Sequence, residues 1–341
     1  MEPSIVALWV VILLVILALV FAFINGFHDA ANAIATVVST GALKPGQAVV
    51  WAACFNFMAL FVFGLSLFGL SIAATMGKGL VDAAVVDTHV IFGALVAAIA
   101  WSIITWYHGI PSSSSHALIG GLIGATMAKG GAGVLVYSGI TWALLFLLLA
   151  PLLGFALGAL LLLLVSWLFR RSTPLRADKW LRCGQLLSCA LYSLGHGGHD
   201  AQKTMGIIWL LLIISGVATH DIKSLSWWVA AACYAAISLG TLFGGWRIVN
   251  TMGQRITKLK PMGGFCAETS GAVILFMSSL LGIPVSTTHT ITGAIVGVGA
   301  ARKFSAVRWG IAGGIVWAWV FTIPASAFLA ALAWWLGMQI F

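Results

Sequence analysis

The sequence predicts an all-α polytopic membrane protein made of two inverted-topology repeats, each with a broken helix and a re-entrant helical hairpin. Three observations carry this. Hydrophobic residues make up 61% of the 341-residue chain and charged ones only 7%, with a mean hydropathy of +1.09; a globular domain carries about 25% charged residues. Two polar motifs each occur twice, and Asp29 and Asp200 lie 171 residues apart while His116 and His289 lie 173 apart, close to half the chain. The basic residues cluster, with five in 170–182, four in 247–260 and three in 302–308. That pattern is topology rather than a nucleic-acid site, and it places all three segments in the cytoplasm.

The elements follow in order. Ile5 to Ile24 is a run of twenty apolar residues, long enough to span a bilayer. It reads as a retained helix and not a leader, because it begins with Glu2 instead of a basic stretch and has no small-residue cleavage site. It runs into NGFHDAANA, 25–33, and turns at Lys44-Pro45-Gly46. Residues 47–75 cross back, and 88–107 and 117–128 flank the break GIPSSSSH, 109–116. A long run, bent at Pro151, ends at Phe169. Beyond a basic linker the order repeats: a broken span around GHGGHD, a span over 226–246, a basic loop, two pieces flanking GIPVSTTH, 282–289, and a last run over 309–341. The organisation is therefore a first membrane repeat, 1–169, a basic cytoplasmic linker, 170–183, and a second, inverted repeat, 184–341. The chain has room for about ten membrane segments and no soluble catalytic domain.

Charge fixes the handedness. With the linker inside, one crossing before it puts the 129–133 turn outside, so the first hairpin enters from outside. The second hairpin, flanked by two basic loops, enters from inside. Both termini fall outside, and the expected location is the cell (inner) membrane. Inverted halves of this kind place a transport site at their interface near the midplane. The five cysteines have no metal spacing and read as small core residues, and the sixteen tryptophans as interface anchors and packing.

In each hairpin a Pro is followed by hydroxyl residues and a His, then by a helix with spaced glycines: Ser113, Ser114, Ser115, His116, and Ser286, Thr287, Thr288, His289. Pro starts a helix and Ser or Thr caps it. A helix start of this type offers free N–H groups and a positive dipole end to an anion. Taken singly, such a motif is a cap with close-packing glycines; two copies entering from opposite sides describe a pocket for a tetrahedral oxyanion. Asp29 with Asn32, and Asp200 with Lys203, lie three apart and share a helix face. An anion does not share a cavity with two bare carboxylates, so a cation or proton is expected between them. His28 and His199 read as structural groups first and ligands second, and His89, His108, His196 and His220 as structural or loop residues. Glu268 is a third buried acid, in the site or else paired with Lys258 or Lys260 at the cytoplasmic edge; Asn56 occupies a similar apolar run in the first half.

The stretches NGFHDAANAIATVVSTGAL, GIPSSSSHALIGGLIG, GHGGHDAQKTMGI, GIPVSTTHTITGAIVG and WVFTIPA together resemble the inorganic phosphate transporter (Pit) family, in particular its bacterial low-affinity members. The resemblance covers essentially the whole chain. It implies phosphate uptake by cation-coupled symport, with Asp29, Asn32, Ser113 to His116, Asp200 and Ser286 to His289 forming the site. It also implies no cofactor or resident metal and no enzyme activity; phosphate, a proton or sodium, the bilayer and a second copy of the chain are the expected partners. Sodium-coupled members resemble one another in carrying Asn where this chain has Lys203. A fixed ammonium there repels sodium and neutralises Asp200, so proton coupling is expected, with phosphate taken up as a metal–phosphate complex in one version. The rivals are a permease for another tetrahedral oxyanion such as sulfate, an intramembrane metal-dependent hydrolase with the His-Asp pairs as ligands, and a channel.

Overall fold

A backbone inside a bilayer has to satisfy its own hydrogen bonds, and this one does so with helices. The computed structural model describes residues 8–64, 69–82, 84–219 and 221–340; His220 and Glu2 lie outside the described residues. Twelve α-helices are described: α1 Leu8–Ser39, α2 Pro45–Ala59, α3 Ser71–Lys78, α4 Thr88–His108, α5 Ser114–Gly130, α6 Tyr137–Leu168, α7 Pro174–Ile214, α8 Trp227–Phe243, α9 Trp246–Asn250, α10 Pro261–Leu280, α11 Thr287–Arg302 and α12 Trp309–Ile340. Single π-helical stretches extend α2 over Leu60–Gly64 and α9 over Thr251–Arg255.

Among the described residues six helices are long and apolar enough to cross a membrane: α1, α2 with its π stretch, α4, α6, α10 and α12. The α8–α9 pair, bent by 64°, makes a seventh. Among the described residues this is fewer than the expected ten or so segments. Helix α7 is long, at 41 residues, but polar in its middle, while α5 and α11, at 17 and 16 residues, are short hairpin arms.

The sequence reading needs correction on the broken helices. Both His-Asp motifs lie inside uninterrupted helices, α1 and α7. Neither motif contains Pro, and their glycines serve close approach instead of chain reversal: a Cβ on Gly26 would collide with the backbone of Ile237, and one on Gly197 with that of Asn56. The 170–183 linker is corrected likewise, since it is helical from Pro174 and forms the first turns of α7. Pro111 and Pro284 do not start helices. They stand in the breaks, and the helices begin three residues later behind the caps Ser113 and Ser286. Of the cysteines, Cys189, Cys233 and Cys266 are buried, but Cys54 and Cys183 face outward, which a hydrocarbon surround permits.

Two hydrophobic cores organise these helices. Helix α1 contributes residues 10–22 to one core and 31–37 to the other, whereas α7 contributes 201–212 to the first and 181–192 to the second. They therefore cross the two cores in opposite directions, and each carries its polar motif at the crossing. Helix α5 lies in the first core and α11 in the second.

The hairpin arms pack on the opposite half's partners: α5 on α12, and α11 on α6. The contact is backbone to backbone. A Cβ on Gly120 or Gly124 would strike Ile323 or Ala327, and one on Gly293 or Gly297 would strike Pro151 or Phe155.

The α4–α5 hairpin is rooted where Asp82 donates its N–H to Val134 at 3.0 Å and Val136 to Leu80 at 3.1 Å, beside the start of α6. The α10–α11 hairpin is rooted where Arg308 donates to Ile256 at 2.9 Å, and Lys258 and Arg302 there share a cavity with Leu162 and Ser166 at the end of α6. The two hairpins thus start from opposite ends of one 32-residue helix.

At the first root Asp87 caps α4 through the Val90 N–H, 2.9 Å, and pairs with Lys129 at 2.6 Å. Burial raises the Asp87 carboxyl, but Lys129, the Val90 amide and His89 outweigh it and hold it below the usual carboxylate range.

Two outcomes are expected. Gly124→Ala or Gly297→Ala should destabilise the protein by about 1–3 kcal/mol or more, read as a lowered melting temperature in detergent. Asp87→Ala should cost about 1 kcal/mol, chiefly through the lost cap because the ion pair is partly exposed. In the wild type this contribution is present above the unfolded carboxylate range and fades as pH falls through the lowered pKa, so acid melting curves of wild type and variant should converge.

Candidate functional site

The crossing of α1 and α7 brings together the polar residues of both halves, all of them buried. Asp29 Oδ1 accepts from His28 Nδ1 at 2.7 Å, and its Oδ2 accepts from Ser114 Oγ, on α5, at 3.0 Å. Thr288, on α11, reaches Asp29 Oδ1 at 3.5 Å. Asp200 Oδ1 accepts from Lys203 Nζ at 2.6 Å, and Thr287 reaches Asp200 Oδ2 at 3.5 Å. Lys203 also donates to Ser115 Oγ at 2.5 Å and to the Val285 carbonyl at 3.1 Å. Asn32 donates to Thr288 at 2.9 Å and to Thr287 at 3.3 Å. Each acid therefore meets hydroxyls from a hairpin tip, and Asp29 meets both tips.

The hydroxyl motifs divide into three roles. Ser113 and Ser286 are spent as caps, accepting the N–H of His116 at 3.3 Å and of His289 at 3.2 Å. Of the middle pairs, Ser114, Thr287 and Thr288 face the acids and Ser115 faces Lys203. The closing histidines meet each other: the His116 and His289 rings lie 4.5 Å apart, edge to face, and His289 stacks on Trp319 at 3.7 Å. Trp319 in turn donates to the Pro111 carbonyl at 2.9 Å, so these rings join the two hairpins to α12.

The other two histidines brace the hairpins. His28 Nε2 lies 3.0 Å from Thr105 Oγ1 of α4, which accepts from Ser112 at 2.8 Å. His199 Nε2 sits in the second break, 3.2 Å from the Ile283 carbonyl and 3.4 Å from the Val285 N–H.

Glu268 is fully buried on α10 and is not at the edge with Lys258 or Lys260. It accepts from Thr36 at 2.5 Å, Ser188 at 2.6 Å and Gln185 at 3.2 Å. Thr36 follows Asp29 by seven residues, about 10 Å along the same face of α1. Asn56, on α2, is no counterpart of Glu268: it bridges Thr241, at 2.9 Å, and His196, at 3.2 Å.

The sequence reading missed His196. Its Nε2 lies 3.4 Å from Asp200 Oδ2, and one ligand atom each of Asp29, His196 and Asp200 lie within 4.8 Å of one another. The signal was its place four residues before Asp200, which puts both on one face of a continuous helix; expecting a break there hid the relation. Tyr192, one turn earlier, donates to the Thr287 carbonyl at 3.1 Å and follows the same spacing.

The charges set what this arrangement can hold. Asp29 and Asp200 contribute two negative charges and Lys203 one positive, leaving one negative charge in a buried centre. A cation fits there directly, and the donor set of two carboxylates and an imidazole suits one. An oxyanion enters only with further positive charge, as a proton or a metal ion. It would find four hydroxyl donors and two helix N-termini.

The chain matches the family model described as "Phosphate transporter family" over residues 25–330. It is 59% identical to a probable low-affinity inorganic phosphate transporter of Rhizobium meliloti, covering 94% of each chain, and 45% identical to one of Bacillus subtilis, covering 97% of this chain and 98% of that one. Among solved structures, "The sodium-dependent phosphate transporter" shares the fold with a TM-score of 0.87 at 24% identity, over 98% of this chain and all of that one.

Asp200→Asn would leave the Lys203 ammonium buried without a counter-charge. It should cost about 3–5 kcal/mol, and Asp200→Asn combined with Lys203→Met should recover most of the loss. Unfolding of the two variants in detergent measures the difference.

Proposed function

The chain belongs to the phosphate transporter family, a family of transporters and not of enzymes, and from that premise we propose that it is a secondary active transporter importing inorganic phosphate by cation-coupled symport. Phosphate is held between the hairpin tips by Ser114, Ser115, Thr287 and Thr288, with the helix starts behind them. The coupling cation or proton is handled by Asp29, Asn32, Asp200, Lys203 and Glu268. The observation that carries this reading is the convergence of one acid from each half on hydroxyls from both hairpins.

The two halves, 1–169 and 184–341, work as inverted repeats in alternating access, with the basic segment 170–183 cytoplasmic and both ends of the chain outside. Support comes from hairpins rooted at opposite ends of α6 and from α1 and α7 crossing the two cores in opposite directions. Displacing one hairpin opens the site from one side, while the other remains packed through glycines against α6 or α12.

A proton is the favoured coupling ion. Lys203 Nζ, 2.6 Å from Asp200, fills the place beside that carboxylate that a sodium ion would need. Glu268 is a third buried carboxyl, with neutral donors only, placed on α10 against Thr36 of α1 to take a proton. A divalent cation arriving with phosphate would meet the same Lys203 ammonium at Asp200, so it would be held on the Asp29 side of the Asp29, His196 and Asp200 group.

Phosphate uptake in transport-deficient cells or proteoliposomes, with pH and sodium gradients varied separately, tests the mechanism. With one proton per phosphate, each pH unit should support about tenfold accumulation, and sodium should add nothing. Lys203→Asn should weaken the pH dependence. Sodium-driven uptake indifferent to pH would rule out proton coupling, and competition by sulfate as strong as by phosphate would favour the broader oxyanion permease.

A further inference from the structure

At the basic end of α6, away from the acid pair, the fold leaves a cavity of about 440 Å³ between the last turns of α6, the first turns of α7, the segment 257–263 and the end of α11. Its wall and rim differ in character. Leu162, Leu181 and Val298 form an apolar wall, continued outward by Leu163 on the exposed face of α6. Lys258, Lys260 and Arg302 form the rim, exposed and, among the described residues, with no carboxylate within 4.0 Å of their nitrogens. Asp178 also lines the cavity, but Arg182 neutralises it at 2.8 Å.

The surroundings set the depth. Trp167 and Trp180 are exposed at this end, and Arg170 lies over the Trp167 ring at 4.9 Å. Leu175, in the first turn of α7, is 86% exposed between basic neighbours. Outward Trp and Leu interleaved with Arg and Lys describe the headgroup layer of a membrane, so the cavity opens where lipid chains and lipid phosphates meet.

We propose that this cavity binds an anionic phospholipid, its phosphate held by Lys258, Lys260 and Arg302 and an acyl chain laid along Leu162, Leu163 and Val298. The wall supplies the acyl contact that a soluble anion lacks, and three uncompensated cations select an anionic headgroup over a zwitterionic one. The bound lipid joins α6 and α7 to the root of the α10–α11 hairpin, the elements that carry Asp200, Glu268 and Thr287. Lipid is thus a structural partner of the second half.

Native mass spectrometry of the full chain, titrated with phosphatidylglycerol or with phosphatidylcholine of the same acyl chains, tests this. Phosphatidylglycerol should bind at least about tenfold more tightly. The triple variant Lys258→Gln, Lys260→Gln, Arg302→Gln should lose the preference, while Arg171→Gln, Lys179→Gln, Lys303→Gln, the same charge change outside the cavity, should keep it. Ala177→Trp, which fills the cavity with the charges intact, should weaken both lipids and keeps the test open if the first triple variant misfolds. Equal affinity for the two lipids, equal loss in the two triple variants, undiminished binding to Ala177→Trp, or displacement of phosphatidylglycerol by inorganic phosphate would each overturn the proposal.

Discussion

The structure depends on keeping two carboxylates and an ammonium in the interior of a membrane protein. A lone charge at that depth costs several kcal/mol even on lenient scales, so each needs a partner that cannot drift away. The chain supplies partners from different helices: Ser114 of α5 and Thr288 of α11 reach Asp29 of α1, and Lys203 of α7 holds Asp200 while reaching Ser115. These bonds require the hairpin tips to stop at the level of the acids. That requirement explains why glycines let α5 and α11 lie directly on the backbones of α12 and α6, since any side chain there would lift the tips off the site.

Much of this was legible from the duplication. Two His-Asp motifs and two hydroxyl hairpins, offset by half the chain, named most of the residues that converge, because buried polar groups in an apolar sequence have few reasons to exist apart from function. Which hydroxyl does what was not legible. Ser113 and Ser114 look alike in sequence, yet one accepts its own helix's N–H and the other donates to Asp29; the difference is one residue of helical phase, set only once the break at Gly109 to Ser113 is fixed. The rings of His116 and His289, expected at the anion from the hairpin motifs, meet each other and Trp319, a contact made through tertiary packing. The span expected to break around GHGGHD is a continuous helix, with Asn56 and Phe63 packed directly against Gly197 and Gly198.

The halves match in arrangement and differ where charge is set. At the offset that pairs Asp29 with Asp200, Asn32 faces Lys203 and Asn25 faces His196. Both differences put a basic group on the second-half acid, whereas the first-half amides leave Asp29 alone: Asn32 donates to Thr287 and Thr288 instead. Asp200 is therefore already compensated, by Lys203 at 2.6 Å and His196 at 3.4 Å, whereas Asp29 has one imidazole and hydroxyls. In the proposed symport, the place for a coupling ion is therefore beside Asp29, where, among the described residues, no ammonium stands. The duplicated motifs supply like groups to both acids, and where the copies differ one acid meets a cation and the other an imidazole and hydroxyls.

On the proposed function, hydroxyls in place of further cations at the tips suit a transport site whose anion comes and goes. An arginine or lysine placed for phosphate would become an unpaired buried charge on release, and that penalty would oppose the empty site's return across the membrane. A hydroxyl has no such fate, because it donates to phosphate when phosphate is present and to a carboxylate when it is not. Ser114, donating to Asp29, is in the second state here, while Ser115 accepts from Lys203. Lys203 is the one cation among these groups, and it is tolerable because Asp200, three residues away on the same helix, stays with it whatever occupies the site.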